Sequence, residues 1–259
     1  MDRDLLIIFI SSFAVILLLM FLLWEMSAVR HHKEIKQRDE EISDLLHDIK
    51  APLNSIKGFA GGLIDKTINQ SEQEKYLEVI KNEADRVVKM SEDYDLYKKL
   101  DSEKLVKDEI KLYDMICEII LSFEKSITNK NIELLGLDKI EASEEKNLKI
   151  MGEKQLLHRA FYNLISNAVL YTPNGGEISL ALKSNSKTAS VCISNTGELD
   201  EDEVSNIFTR NYRSNNSKDK KGTGLGLSIT KKIMESHKGS AEAVSENGRI
   251  TIKVILPKK

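Results

Sequence analysis

His47-Asp48-Ile49-Lys50-Ala51-Pro52-Leu53 is the stretch whose reading decides how the first part of this chain folds. It sets a histidine beside a carboxylate inside an apolar repeat of helical period. Ile35, Ile42, Ile49 and Ile56 occupy one heptad position, Leu45 and Phe59 the other, and Leu46 and Leu53 widen the stripe. A seam of that spacing asks for a partner helix. Leu77, Ile80, Ala84, Val87, Ser91 and Tyr94 repeat the spacing in a second helix, while Gly61-Gly62 and the polar stretch from Thr67 to Ser71 break the pattern between the two. Two antiparallel helices with apolar stripes make half of a four-helix bundle, so the pattern predicts a parallel homodimer held by this hairpin. In the same frame His47 falls on the outward side, within reach of a second protein or domain. Pro52 removes a helix hydrogen bond and clashes with the carbonyl of Asp48, which predicts a local bend.

The chain has 259 residues, a formal charge of −3 and 31% charged residues, so bulk electrostatics give no reason to expect a nucleic-acid partner. Cys117 and Cys192 lie too far apart for a disulfide framework or a metal spacing and read as reduced thiols. Leu5 to Trp24 carries no charge, and only Ser11 and Ser12 interrupt its apolar residues. A helix of about 20 residues spans the hydrocarbon core of a bilayer. No polar face at helical period suits the run to a protein core, and no small-residue cleavage site suits it to a signal peptide. Arg30, His31, His32, Lys33, Lys36 and Arg38 follow the span, which places everything after it in the cytoplasm and predicts a single-pass protein of the cell membrane. So few residues precede the span that the expected input comes through the membrane or from a membrane sensor or transporter.

Beyond Lys111 the texture is mixed α and β. Ile116 to Ile127 has helical spacing, Ile132 to Leu137 and Asn147 to Met151 read as strands, and Gln155 to Tyr171 reads as a long amphipathic helix. Ile178 to Leu182, Ala189 to Ser194 and Ile250 to Leu256 alternate as strands, with Asn247-Gly248 as a hairpin turn. Gly222-Thr223-Gly224-Leu225-Gly226-Leu227 follows a polar loop and runs into a helix from Ser228 to His237, for which Gly239 is the expected stop. A dinucleotide fold would need a strand before those glycines and an acidic ribose partner after them, and neither is present. A glycine loop opening a helix can instead cradle a triphosphate on backbone N–H groups. Asn163 and Asn167, one turn apart on one face, supply two amide oxygens of the kind that hold a hydrated Mg²⁺.

Arg159-Ala160-Phe161-Tyr162-Asn163-Leu164-Ile165-Ser166-Asn167-Ala168 closely resembles the N-box of the histidine-kinase, Hsp90 and MutL ATPases. Ile207-Phe208 and Tyr212-Arg213 resemble the box that precedes their nucleotide lid, Asn195-Thr196-Gly197 their first glycine box, and Gly222, Gly224 and Gly226 their second. With the His47 segment upstream, residues 38 to 257 resemble the sensor histidine kinases of two-component systems. With the apolar span as a membrane anchor over residues 1–27 and a helical linker over 28–40, the resemblance implies a dimerisation and phosphotransfer hairpin over 41–103 and an α/β sandwich that binds ATP over 110–259. It makes His47 the phosphoacceptor and Asp48 the acid that orients it. It assigns Mg²⁺ to Asn167 with Asn163, and ATP to those two with Tyr171, Asn195, Gly197, Phe208, Tyr212, Arg213, Lys221, Gly222, Thr223, Gly224, Leu225, Gly226 and Leu227. The phosphoryl group would pass to an aspartate on the receiver domain of a response regulator.

Three positions depart from the family pattern. Asn195 stands where an aspartate usually accepts from the adenine amino group; loss of the charge is expected to weaken ATP binding by about 1 kcal/mol. Leu170 replaces a basic residue, whose phosphate contact is expected to come from Lys218, Lys220 or Lys221 of the lid. Ala51, four after the histidine, lacks the side chain that positions water, so weak or absent phosphatase activity through that route is expected. The first two departures keep open a second reading, a degenerate nucleotide-binding homologue that scaffolds a dimeric membrane signalling complex. A chaperone or mismatch-repair ATPase is the third reading, and the His47 segment counts against it.

Overall fold

A computed structural model describes residues 20–21, 24–26, 43, 46–100, 105–210, 212 and 224–258. The charge-free run from Leu5 to Trp24 therefore lies outside the described residues but for three positions. So do Ile35, Ile42 and Leu45 of the heptads, the basic flank after the span, and Arg213 to Thr223. Among the described residues no helix is long and apolar enough to cross a membrane. The chain divides into two compact units, up to Val87 and from Val88 onward.

In the first unit, α1 covers residues 46–64 and α2 covers Gln73–Lys99, which from Val88 onward belongs to the second unit. Helix α1 is unbroken across Pro52. It also passes through Gly61-Gly62, where the sequence pattern placed a break. The stop comes at Lys66, in the left-handed conformation at φ 55°. The N–H of Thr67 reaches back to the carbonyl of Gly62 at 3.0 Å, and the Lys66 N–H to that of Leu63 at 3.4 Å. This is a Schellman ending with lysine in the position glycine usually takes. Phe59 and Tyr76 join the helices, their ring centroids 5.0 Å apart. Ile49, Ile56 and Ile80 are partly buried, whereas Leu46, Leu53 and Leu77 remain about half exposed.

The second unit is a two-layer α/β sandwich. Strands β1 (Asp108–Lys111) and β3 (Lys149–Gly152) pair antiparallel in a small sheet. A five-stranded sheet holds β2 (Glu133–Leu135), β4 (Glu177–Ser184), β5 (Thr188–Thr196), β6 (Ser240–Glu246) and β7 (Arg249–Pro257) in the order β2-β4-β5-β7-β6. Among the described strands, β2 and β4 pair parallel and the other neighbours antiparallel. The helices are α3 (Leu112–Ser122), α4 (Glu124–Asn129), α5 (Leu137–Glu141), α6 (Lys154–Tyr171), α7 (Glu201–Asn206) and α8 (Gly226–Ser236). The single apolar helix expected over Ile116 to Ile127 is broken at Phe123 into α3 and α4.

Period-two burial explains the sheet. Ile178, Leu180 and Leu182 on β4, Ala189, Val191 and Ile193 on β5, and Ile252, Val254 and Leu256 on β7 all face one way and are buried. They meet helical stripes: Leu112, Met115, Ile116 and Ile119 on α3, then Leu157, Ala160, Phe161, Leu164 and Ala168 on α6, then Ile229 and Ile233 on α8. At roughly 25 cal/mol per Å² of apolar surface, this burial is the main term that holds the sandwich together. Asn247 (φ 52°) and Gly248 (φ 72°) make the tight turn between β6 and β7. At the end of α8 the left-handed residue is Lys238 (φ 61°), not Gly239. Gly239 is needed for another reason: a Cβ there would collide with the carbonyl oxygen of Ile255.

His237, 1% exposed, closes the joint between α8 and α6. Its Nε2 accepts the N–H of Glu153 at 3.0 Å, so its proton sits on Nδ1 and is donated to the carbonyl of Ile233 at 2.8 Å. Burial pushes its pKa below the ordinary histidine value; the Ile233 carbonyl opposes this, the charge of Lys107 adds to it, and Glu153 opposes it. The unfolded chain therefore takes up a proton at this residue before the folded one does. Its contribution to stability is complete above the ordinary value of about 6.5 and is lost as pH falls below it. The stability gap between wild type and His237→Gln, followed by thermal unfolding, is expected to narrow from about pH 7 to pH 5. A gap of constant size across that range contradicts the assignment.

Candidate active site

Helix α6 carries three of the predicted residues, Asn163, Asn167 and Tyr171, at a spacing of four. Leu157, Ala160, Phe161, Leu164 and Ala168 anchor the neighbouring stripe in the core, which fixes the rotation of the helix and hence where the polar stripe points. Asn163 is buried, while Asn167 and Tyr171 are partly exposed.

The glycine segment reaches this helix directly. Gly224 has φ 71°, and α8 starts two residues later at Gly226. Asn163 Nδ2 donates to the carbonyl of Gly226 at 3.1 Å, which leaves the amide oxygen of Asn163 for another partner. A Cβ at Gly226 would stand 3.5 Å from Cγ of Asn163, so the start of α8 approaches the asparagine closely. Thr230 Oγ1 closes the same turn on the Gly226 carbonyl at 2.9 Å. The first amides of a helix lack intrahelical partners and carry its positive end, so this start is suited to an anion beside the amide of Asn163, with Asn167 one turn further along α6. That donor set fits a nucleotide triphosphate with a hydrated divalent cation.

Asn195 ends the inward-facing row of β5 and is 6% exposed, a buried amide on the helix-facing side of the sheet. Its Nδ2 donates to the carbonyl of Thr196 at 3.1 Å. Gly197 follows, its N–H bonded to the carbonyl of Gly248 at 2.9 Å. Phe208, Tyr212 and Leu227 pack against the apolar core, and Leu225 is buried in it. Burial pushes the Tyr212 phenol above its ordinary pKa, and Glu203, Asp200 and Asp202 push it the same way, so it stays protonated at neutral pH. Two of those acids form the capping box of α7, where Glu203 N–H donates to Asp200 Oδ1 at 2.7 Å and Asp200 N–H to Glu203 Oε2 at 3.3 Å. Arg213, Lys221, Gly222 and Thr223 lie outside the described residues.

In the first unit His47 is 86% exposed on α1, as its heptad register predicts, and its Nδ1 lies 3.6 Å from Oδ1 of Asp48. The ring nitrogen on the other side, Nε2, is the one turned away from the carboxylate.

Residue patterns pointed to none of the contacts that hold the end of α2. Asp93, 2% exposed, pairs with Arg159 of α6, and Tyr94 stacks under the guanidinium of Arg210 at 5.2 Å from the ring centroid. Arg159 stood inside the quoted helix segment, but its partner lies 66 residues away, beyond the reach of periodicity.

Two family models match. Residues 152–259 match the histidine kinase-, DNA gyrase B- and HSP90-like ATPase, and residues 37–103 match the His Kinase A phospho-acceptor domain. The chain belongs to the sensor histidine kinases. Over 86% of its length it is 30% identical to sensor histidine kinase YvrG of Bacillus subtilis and 28% identical to sensor protein VanS of Enterococcus faecium. It spans 38% and 58% of those relatives. Among solved structures, histidine kinase ThkA in complex with response regulator protein TrrA superposes with a TM-score of 0.67 at 22% identity, covering 85% of this chain and 61% of ThkA. Acinetobacter baumannii histidine kinase AdeS gives 0.63 at 15%, covering 82% of this chain and 98% of AdeS. At those identities the two structures speak only for the fold of this chain.

Asn163→Asp puts a carboxylate where this chain has a donor, against the carbonyl of Gly226. The expected cost at neutral pH is about 2 kcal/mol, a fall of several degrees in unfolding midpoint. An unchanged midpoint would show that the amide does not hold the start of α8.

Proposed function

We propose that this chain is a membrane-anchored histidine kinase that phosphorylates its own His47 from ATP and passes the phosphoryl group to an aspartate of a response regulator. The observation that carries the reading is the joint of Asn163 with the carbonyl of Gly226, which sets the amide of Asn163, one turn from Asn167 on the same helix, beside a helix start in a chain whose exposed hairpin bears His47. ATP would lie between α6, the end of β5 and the start of α8. Asn167, with the oxygen of Asn163, would hold Mg²⁺, which when bound offsets charge on the transferred phosphoryl group.

The residues of this chain then have defined work. Asp48 faces Nδ1 of His47 and favours the tautomer with its proton there, leaving the lone pair of Nε2 as the nucleophile. A bond forms from Nε2 to the γ-phosphorus as the bond to the bridging oxygen breaks, and ADP leaves with that electron pair. The Nδ1 proton stays on the ring, where Asp48 stabilises the resulting cation. The amides at the start of α8 hold phosphate oxygens, and the buried Asn195 offers its oxygen to the adenine amino group.

Exposed Leu46, Leu53 and Leu77 on the hairpin fit a second copy of the chain, which would complete a four-helix bundle. The charge-free run from Leu5 to Trp24 and the basic residues after it support a single membrane span with the kinase on the cytoplasmic side. Asn195, an amide where charge would be expected, favours the second reading of a nucleotide-binding scaffold without transfer.

Incubation of the full chain in detergent micelles with radiolabelled Mg-ATP separates the two. Acid-labile label that is lost in His47→Gln is the expected outcome. ATP binding without any label would replace the kinase with the scaffold.

A further inference from the structure

Helix α6 ends without a basic residue in its last turn, although its final carbonyls carry the negative end of the helix dipole. The cation comes from elsewhere. Lys130, which caps α4, sends its ammonium to three carbonyl oxygens at that end: Val169 at 2.8 Å, Leu170 at 3.0 Å and Thr172 at 3.0 Å. An ammonium has three N–H donors, and here each finds an oxygen. The preceding carbonyl, of Ala168, is already taken by the N–H of Thr172 at 3.0 Å and its hydroxyl at 2.6 Å. The main chain of Lys130 adds a further tie, its carbonyl accepting the N–H of Gly175 at 2.8 Å. One residue thus grips the segment 169–175 from both its side chain and its backbone.

That segment begins two residues after Asn167 and contains Tyr171. Helix ends fray or tighten into a 3₁₀ turn when their carbonyls lack partners, and either change rotates the side chains of the last turn. We propose that Lys130 is a positioning residue for the cation-holding side of the nucleotide site, locking the last turn of α6 so that the Asn167 amide keeps its direction. The proposal rests on the nucleotide reading given above. Lys130 acts through the helix: its donors are directed at carbonyls, and it is not a phosphate ligand.

Dissociation constants for ATP, measured on the full chain in micelles with excess Mg²⁺ and again in chelator, test the role on Lys130→Met and Lys130→Arg. Outer-shell partners of a metal ligand typically affect metal-dependent affinity by ten- to a hundredfold, so Lys130→Met is expected to weaken Mg-ATP about tenfold while ATP in chelator changes less than about twofold. Lys130→Arg, which keeps charge and donors, is expected to recover to within about threefold of wild type. Should Lys130→Met fail to fold, Lys130→Gln retains two donors and is expected to show the same split at about threefold. Equal losses with and without Mg²⁺ would overturn the proposal in favour of a general packing role or a direct phosphate contact. An unchanged Mg-ATP affinity in a wild-type background that binds nucleotide would overturn it alone. A wild-type chain that binds no ATP would overturn the reading beneath it as well.

Discussion

The hydrogen bond from Asn163 to the carbonyl of Gly226 is the constraint on which the rest of the site depends. It forms where α8 starts close against the asparagine: a Cβ on Gly226 would stand 3.5 Å from Cγ of Asn163, in van der Waals contact. Once made, it ties the polar stripe of one buried helix to the positive end of another. The two surfaces that an anionic ligand and its counter-ion would need are then held together before any ligand arrives. Preorganisation of this kind places the cost of arranging the donors on folding and not on binding.

Helix α6 shows how far this arrangement relies on tertiary contacts. Its N-cap, Glu153, makes no side-chain cap of its own, and its C-cap is Thr172, not glycine. Both ends are completed from other elements: His237 of the α8 end accepts the first N–H, and Lys130 beside α4 donates to the last carbonyls. The apolar stripe of α6 fixes its rotation, and these two side chains help fix its ends. A helix held at both ends from outside keeps asparagines at a spacing of four in one register, which is what a shared cation site requires.

Much of this was legible in the sequence. Heptads predicted the hairpin and placed His47 outward; alternation found three of the sheet's strands, and the Asn-rich helix was correct to within a residue at its start. What escaped has physical reasons. Glycine pairs mark turns only when the backbone needs a positive φ, and here Lys66 and Lys238 adopt it while Gly61-Gly62 stay helical and Gly239 makes room for β7. The split of α3 from α4 at Phe123 left no Pro or Gly to read. Partners such as Asp93 and Arg159, Lys130 and Leu170, or Glu153 and His237 lie 40 to 84 residues apart, and no local pattern joins them.

Amide hydrogen exchange of the full chain with and without Mg-ATP tests the central claim most directly. The account predicts that protection on nucleotide addition concentrates in three segments: the second half of α6, residues 195–197 at the end of β5, and the first turn of α8. Protection absent from these three, or centred on the outward face of the sheet instead, would contradict it.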